Sequence, residues 1–533
     1  MIQDLLAESL RAALVAGGIE PPDTISVERP ARPEHGDWSS NVALALARTT
    51  KRPPRELAAA LADHLTADPP RYVAEVTVAG PGFVNFRLDH AWLHDLLRQV
   101  VEGGVEGYAR PDLGAGERVN VEFVSANPTG PLHAGGGRWA AYGDSLCRIL
   151  ERCGYQVHRE YYVNDRGRQV ELFLDSLAAH KAGRPVPEDG YQGQYIAEWA
   201  AEMPGDADRE WGERRVLDDL RRTLGRINVE FDTWFSERSM AASGAVEAAL
   251  ADLRANGNAY DADGAVWLRA TAFGLPKDEV LVKTGGEPTY LLGDIAYHRD
   301  KFERGFDRLI DIWGADHHGH VARLKVGMQA LGYDPDRLEI ILGQLVTLLR
   351  AGEVVRMGKR SGEFVELAEV LDEVGPDVAR LTFLLQSIDN RQTFDLAAVV
   401  MHSLDNPVYY VQYAHARIRS IMVTAAARGI ERRPVDEVDV GLLVHPRELD
   451  VLRVLAELPD VVAEACGARA PHRVSTWARE LAGRFHGFYY DCYVMGEGIS
   501  PELTQARLSL VEATRIGLAI GLDLLGVSAP DSM

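Results

Sequence analysis

No apolar run in this 533-residue chain approaches the ~18 to 20 residues a helix needs to cross a bilayer. Cysteine is scarce: Cys147, Cys153, Cys466 and Cys492 include no C-x-x-C pair, which leaves neither a disulfide framework nor a zinc knuckle supported. Basic residues number 57 against 79 acidic ones, giving a net charge of −22. A protein that grips nucleic acid through a general basic surface does not look like this. Any such contact must come from local arginine clusters, and composition reveals none. Lysine is missing from residue 405 onward, where every positive charge is arginine. Internal repeats and low-complexity tracts are absent. The opening MIQDLLAESLRAALVAGG carries Asp4 and Glu8 early and reads as an amphipathic helix, not a signal peptide. These absences point to a cytoplasmic protein without membrane contact.

The composition that remains, 46% hydrophobic and 26% charged, is that of a globular protein too long for one core. Its most informative stretch is Val119 to Arg138, VNVEFVSANPTGPLHAGGGR. Val119 to Val124 reads as a strand, and Pro128 and Pro131 stop it because proline cannot donate ladder hydrogen bonds. His133 and the glycines Gly135, Gly136 and Gly137 follow, and then a helix from Arg138 with Gly154 as its stop. Strand, glycine-bearing turn and helix place phosphate oxygens at unpaired helix N–H groups, although such turns also occur without ligand.

Residues 1–108 read as a small α/β unit. A helix over 2–15, an extended stretch at 25–29 and helices over 42–48 and 55–65 precede a hairpin of 73–78 and 83–88. The span 102–116 reads as a linker. From 119 the chain alternates strand and helix, the signature of a Rossmann-like, doubly wound parallel sheet. This segment runs over 109–404, with Val157 to Val163 as its second strand. An insertion at about 164–280 carries charged helices at 178–188 and 207–226. Strands of the sheet resume at 280–283 and 309–313, and 340–349 is one apolar segment ending in a hairpin-like turn. From 405 to 533 only helices are expected, so the fold class is α/β with an all-α C-terminal domain.

Five segments together resemble the arginyl-tRNA synthetases, class I aminoacyl-tRNA synthetases. His133-Ala134-Gly135-Gly136 stands where that family has its HIGH motif, and Arg356-Met357-Gly358-Lys359-Arg360 where it has KMSK. Tyr290 to His298 and Gly314-Ala315-Asp316-His317-His318-Gly319 match the catalytic core between them. Asp405 to Arg417 matches the start of the helical anticodon-binding domain, and Pro33-Glu34-His35-Gly36-Asp37 the N-terminal domain that contacts the tRNA elbow.

The resemblance implies activation of L-arginine with ATP to arginyl adenylate, in the presence of tRNA, and transfer to the 3′ end of tRNA-Arg. His133 and Lys359 then serve phosphate chemistry. Gly135, Gly136, Asp316, His317, His318, Met357 and Arg360 bind ATP, with Mg2+ held by phosphates and water. Glu122, Asn127, His133, Glu237, Tyr290 and Asp294 bind arginine. Carboxylates are required because a planar guanidinium pairs bidentately with them. His35, Asp37, Tyr409, Tyr413 and Arg417 are the tRNA candidates, although tyrosines on a helix serve equally well as packing. His317, His318 and His320 lack the spacing and the cysteines of a metal set, so no metal site is expected. The partners are tRNA-Arg, arginine and ATP, with a monomer as the working form.

The chain departs from the family pattern at Gly136, where a second histidine is usual, at Gly358 for serine and at Arg356 for lysine. A slower enzyme is compatible with these changes. They also keep open a diverged paralogue that makes arginyl-tRNA for a specialised pathway or resistance, or a catalytically weak tRNA-binding regulator.

Overall fold

A computed structural model describes residues 2–30, 32–207, 209–350, 352–354, 365–399 and 406–533. It divides into two compact units. The first comprises Met1–Glu102, Glu431–Ala456 and Phe488–Ala513; the second comprises Gly103–Ile430, Glu457–Gly487 and Thr514–Met533.

In the first unit, the helix Ile2–Ala16 buries Leu6, Leu10, Ala13 and Leu14, the helical spacing its sequence carries. The strand Phe83–Leu88 lies between Trp38–Ser40 and Val73–Ala79 in an antiparallel sheet. The Pro-Glu-His-Gly-Asp segment closes onto that sheet. Gly36 has φ +99°, and a Cβ there would lie 2.5 Å from the Phe86 carbonyl oxygen. The Asp37 carboxylate accepts the Leu88 N–H at 2.8 Å. The stretch read as a linker from 102 is partly helical, because Ala91–Gly107 continues into it with Trp92, Leu93, Leu97 and Val100 buried. Buried apolar spacing outweighs the glycines there until Gly104, which has φ 59°.

The second unit is built on β1 (Arg118–Glu122), α1 (Gly136–Arg152), β2 (Gln156–Val163), β3 (Thr233–Ser236), α2 (Tyr290–Glu303), β4 (Arg308–Gly314), α3 (His318–Leu331), β5 (Leu338–Gly343) and α4 (Pro407–Ala427). The strands lie in the order β5-β4-β1-β2-β3, and every pair is parallel. Val119, Val121, Leu309 and Ile310 are fully buried, as both-face burial of a parallel sheet requires. The order reverses between β1 and β4, and the crevice outside their carboxyl ends is where open α/β sheets take ligands. After residue 405 the described chain is helical, through α4, Pro446–Gly467, His472–Asp491 and Pro501–Leu524.

Four expectations are corrected. The insertion is not continuous, because β3 pairs with β2 and returns the chain to the parallel sheet. The strand Glu279–Val282 belongs to a separate antiparallel sheet with Ala259–Ala262 and Ala265–Leu268. The helix expected over 178–188 is the end of Arg168–Lys181, stopped before Gly183 at φ +63° and Pro185. The apolar segment 340–349 is split between β5 and the strand Val346–Arg350, which pairs with Gln392–Asp395 in another sheet.

Candidate active site

The turn after β1 is strained at its start. Val124 and Ser125 have φ 69° and 37°, a left-handed conformation that a β-branched residue rarely adopts. The Ser125 hydroxyl holds the bend, donating to Glu122 Oε1 at 3.0 Å and accepting the Tyr162 N–H at 3.0 Å. Asn127 follows, its amide donating to Gln169 at 2.8 Å. His133 Nδ1 accepts the Gly135 N–H at 2.8 Å, so in the neutral ring Nε2 carries the proton. A Cβ on Gly136 would sit 2.8 Å from Leu132 Cδ1, and one on Gly137 2.7 Å from Leu367 Cδ1. Packing against Leu367 and the Phe383 ring therefore favours a small residue at Gly137, whereas at Gly136 only the flexible end of Leu132 would have to give way. Arg138 is fully buried and ties the start of α1 to the carbonyls of Gln344, Ser387 and Asn390, each at 2.8 Å.

A cavity of about 1820 Å³ opens at the carboxyl ends of β2 and β3. Asn127, Tyr162, Glu237, Tyr290, Asp294 and His320 are among its lining. Tyr290 and Asp294 lie one turn apart on α2 and so share a face. Glu237 opens a short helix after β3, where the Ser236 hydroxyl accepts the Ser239 N–H at 3.1 Å as an N-cap. With its amide in the satisfied orientation, Asn164 donates to Glu237 Oε2 at 2.8 Å. Burial pushes the Glu237 carboxyl above its ordinary value; Asp165 and Asp294 add to this while Arg166 opposes it. Asp294 Oδ2 meets His320 Nε2 at 2.6 Å. Two acidic groups thus converge beside a tyrosine, in a cavity suited to a cation with directed donors.

Glu122 lies beneath this cavity rather than on its lining. Its Oε2 accepts from Lys301 Nζ at 2.7 Å. Lys301 also donates to Asp311 at 2.9 Å, and Asp311 meets His298 Nε2 at 2.6 Å. Burial, only partly offset by Lys301, keeps the Glu122 carboxyl above its usual range. Burial also opposes ionisation of Asp311, but Lys301 and His298 overcome it and hold that carboxyl low.

Three family models cover the chain in order. Residues 1–88 match the arginyl tRNA synthetase N terminal domain, residues 102–188 and 201–391 the catalytic domain of class I tRNA synthetases (R), and residues 411–533 the DALR anticodon binding domain. The chain is 49% identical to an arginine–tRNA ligase of Moorella thermoacetica, over 99% of this chain and 98% of the relative. It is 48% identical to one of Frankia alni, over 99% of each. The chain belongs to the arginyl-tRNA synthetase family. It is accordingly a ligase, and the comparisons support this rather than the paralogue or regulator. The Thermus thermophilus arginyl-tRNA synthetase structure aligns over 100% of both chains with a TM-score of 0.77 at 24% identity, which bears on fold alone.

Within this synthetase fold, Asp316, His317 and His318 follow β4 at the switch-point crevice and are not on the lining of the large cavity. Asp316 and His317 are exposed, 3.7 Å apart. Met357, Lys359 and Arg360, with Arg356 and Gly358, lie outside the described residues. Val365, the first described residue after them, accepts the Ala134 N–H at 2.9 Å, and Leu367 N–H donates to Leu132 O at 2.7 Å. Asp405 also lies outside the described residues. On α4, the rings of Tyr409 and Tyr413 stack at 5.7 Å, and the Arg417 guanidinium lies 4.4 Å over Tyr413. His35 ends a short 3-10 turn, half-buried.

Sequence reasoning missed Tyr162 and Asn164 and weighed His320 only as a metal ligand. Tyr162 near the end of β2 and Asn164 just past it stand where a parallel strand delivers ligand-facing residues, a rule that could have flagged them. The meeting of His320 with Asp294 depends on how α2 packs against α3, which no local signal encodes.

Proposed function

We propose that the chain activates L-arginine with ATP, releases pyrophosphate, and transfers arginine from the adenylate to the 3′ end of tRNA-Arg. The observation that carries the arginine assignment is the convergence of Glu237 and Asp294 with Tyr290 on one cavity. A guanidinium presents a planar fork of donors to such carboxylates, and the tyrosine ring packs beside it. Asn127 and His133 meet the α-carboxylate end. Glu122 holds the α-amino end from beneath, through the turn that Ser125 fixes.

ATP occupies the crevice between β1 and β4. His133 donates to the phosphates through Nε2, Gly135 and Gly136 give backbone close to the nucleoside, and Asp316, His317 and His318 face ribose and adenine. Met357, Lys359 and Arg360 complete the phosphate side, with Lys359 neutralising the leaving pyrophosphate. Because attack is in line, catalysis is mostly positioning and charge neutralisation, and losing one such donor raises the barrier by about 3 kcal/mol. Mg2+ comes with the ATP phosphates, held largely by them and by water.

In this reading residues 1–108 contact the tRNA elbow through His35 and the turn that Asp37 fixes. Residues 109–404 catalyse, and 405–533 meet the anticodon through Tyr409, Tyr413 and Arg417. The working form is a cytoplasmic monomer. No described helix is long and apolar enough to cross a membrane.

ATP–pyrophosphate exchange with each amino acid, with and without tRNA-Arg, tests the proposal. Exchange is expected with arginine only, and only with tRNA present; exchange with another amino acid, or none at all, overturns it. Asp294→Ala should raise the KM for arginine far more than that for ATP. Equal effects on both would mean the guanidinium site is misplaced.

A further inference from the structure

We infer that His320 is a specificity-determining positioning residue, which fixes the Asp294 carboxylate so that one oxygen is held by the protein and the other faces the guanidinium of arginine. The inference rests on the arginine site proposed above and deepens it. His320 lies in the first turn of α3, and Asp294 in the second turn of α2. Their contact, Nε2 to Oδ2 at 2.6 Å, joins two helices at the cavity wall. Both side chains are partly shielded, 22% exposed for His320 and 33% for Asp294. The imidazole is held in plane from behind, stacked at 5.8 Å and 29° on Trp313 near the end of β4. The other cation in reach on α3, Arg323, is directed to Glu279 at 3.4 Å and is not bonded to Asp294.

The chemistry of the pair explains its use. A free aspartate on a helix has several rotamers, and a guanidinium that must pair with both nitrogens in one plane tolerates few of them. A hydrogen bond from Nε2 selects one rotamer of the carboxylate and engages one of its oxygens, which leaves the other directed at the guanidinium. Trp313 completes the device, since the ring it supports cannot swing away without losing the stack.

Three variants separate this from a packing role. His320→Phe keeps an aromatic ring for Trp313 and removes the donor. It should raise the arginine KM about tenfold, the scale of one charge-assisted hydrogen bond, with kcat and the ATP KM changed less than about twofold. His320→Gln restores an N–H donor and should recover most of the loss. Asp294→Asn is the control for the site itself and should raise the arginine KM more than His320→Phe does. An unchanged arginine KM in His320→Phe, beside a raised one in Asp294→Asn, overturns the inference and leaves the arginine site standing. An unchanged arginine KM in Asp294→Asn overturns the site. Parallel rises in the arginine and ATP KM of His320→Phe, with no recovery in His320→Gln, mean that the residue only packs, which also overturns the inference. Circular dichroism and thermal melts of each variant establish that a folded protein is being assayed.

Discussion

In the proposed arginine site, Glu237 shows what binding costs at a single residue. Burial first, then Asp165 and Asp294, raise its carboxyl pKa, so ionisation in the free enzyme is resisted. A guanidinium reverses this by supplying the missing opposite charge. The sign follows: lowering the pH through the raised pKa protonates Glu237 and should increase the arginine KM, while above it the KM should be flat. Glu237→Gln should abolish that acid limb and bind arginine weakly at every pH. A group whose folded pKa is raised favours the fold below its unfolded pKa and loses that contribution as pH rises through the folded one. The same variant should therefore melt at or above the parent temperature at neutral pH. A pH series of steady-state arginine KM values, with melting curves on both proteins, checks all of this. In the sequence Glu237 is an arginine-binding residue by resemblance alone. What puts it on the cavity wall is that β3 rejoins the parallel sheet, a long-range pairing invisible to local pattern.

Among elements, α2 brings Tyr290 and Asp294 to the cavity and is locked to the sheet through Lys301. Lys301 is fully buried, donating to Glu122 at the end of β1 and to Asp311 on β4. His298, one turn earlier, meets Asp311 as well. Replacing Lys301 by methionine keeps the volume and removes the charge, leaving two carboxylates buried together. Uncompensated buried charge costs about 3–5 kcal/mol, well beyond the gain from a more apolar side chain. Lys301→Met should thus shift urea unfolding to lower denaturant by that amount, and the loss should shrink at acid pH as the carboxylates protonate. The turn and helix at 119–152 were legible because proline, glycine and helical spacing are local signals. The lock was not, since Glu122 reads as an arginine-binding residue by resemblance and no local signal pairs it with Lys301 or Lys301 with Asp311. The strand Glu279–Val282 was misassigned for a related reason: a short apolar run marks a strand without saying which sheet it joins.

For the whole molecule, the puzzle is a chain of net charge −22 that takes a polyanion as substrate. Long-range repulsion works against association, so recognition must rest on a few local contacts rather than on a basic field. Charge count alone foresaw this constraint, and the matched order of N-terminal, catalytic and DALR segments gives it a setting. On α4, the near-parallel rings of Tyr409 and Tyr413, with the Arg417 guanidinium 4.4 Å from the Tyr413 ring and donating to its hydroxyl at 2.6 Å, bring together the aromatic and arginine faces on which unpaired bases stack. Two measurements follow from that geometry. The logarithm of kcat/KM for tRNA should fall with log salt at a slope shallower than about −5, because each neutralised phosphate contributes roughly −0.7 to −0.9. Arg417→Ala should raise the tRNA KM and leave both that slope and the arginine KM unchanged, since a stacked guanidinium displaces no counterion. A slope near −10 would reveal a basic surface that the composition excludes. A slope reduced by about one in Arg417→Ala would move that residue from a base to a phosphate.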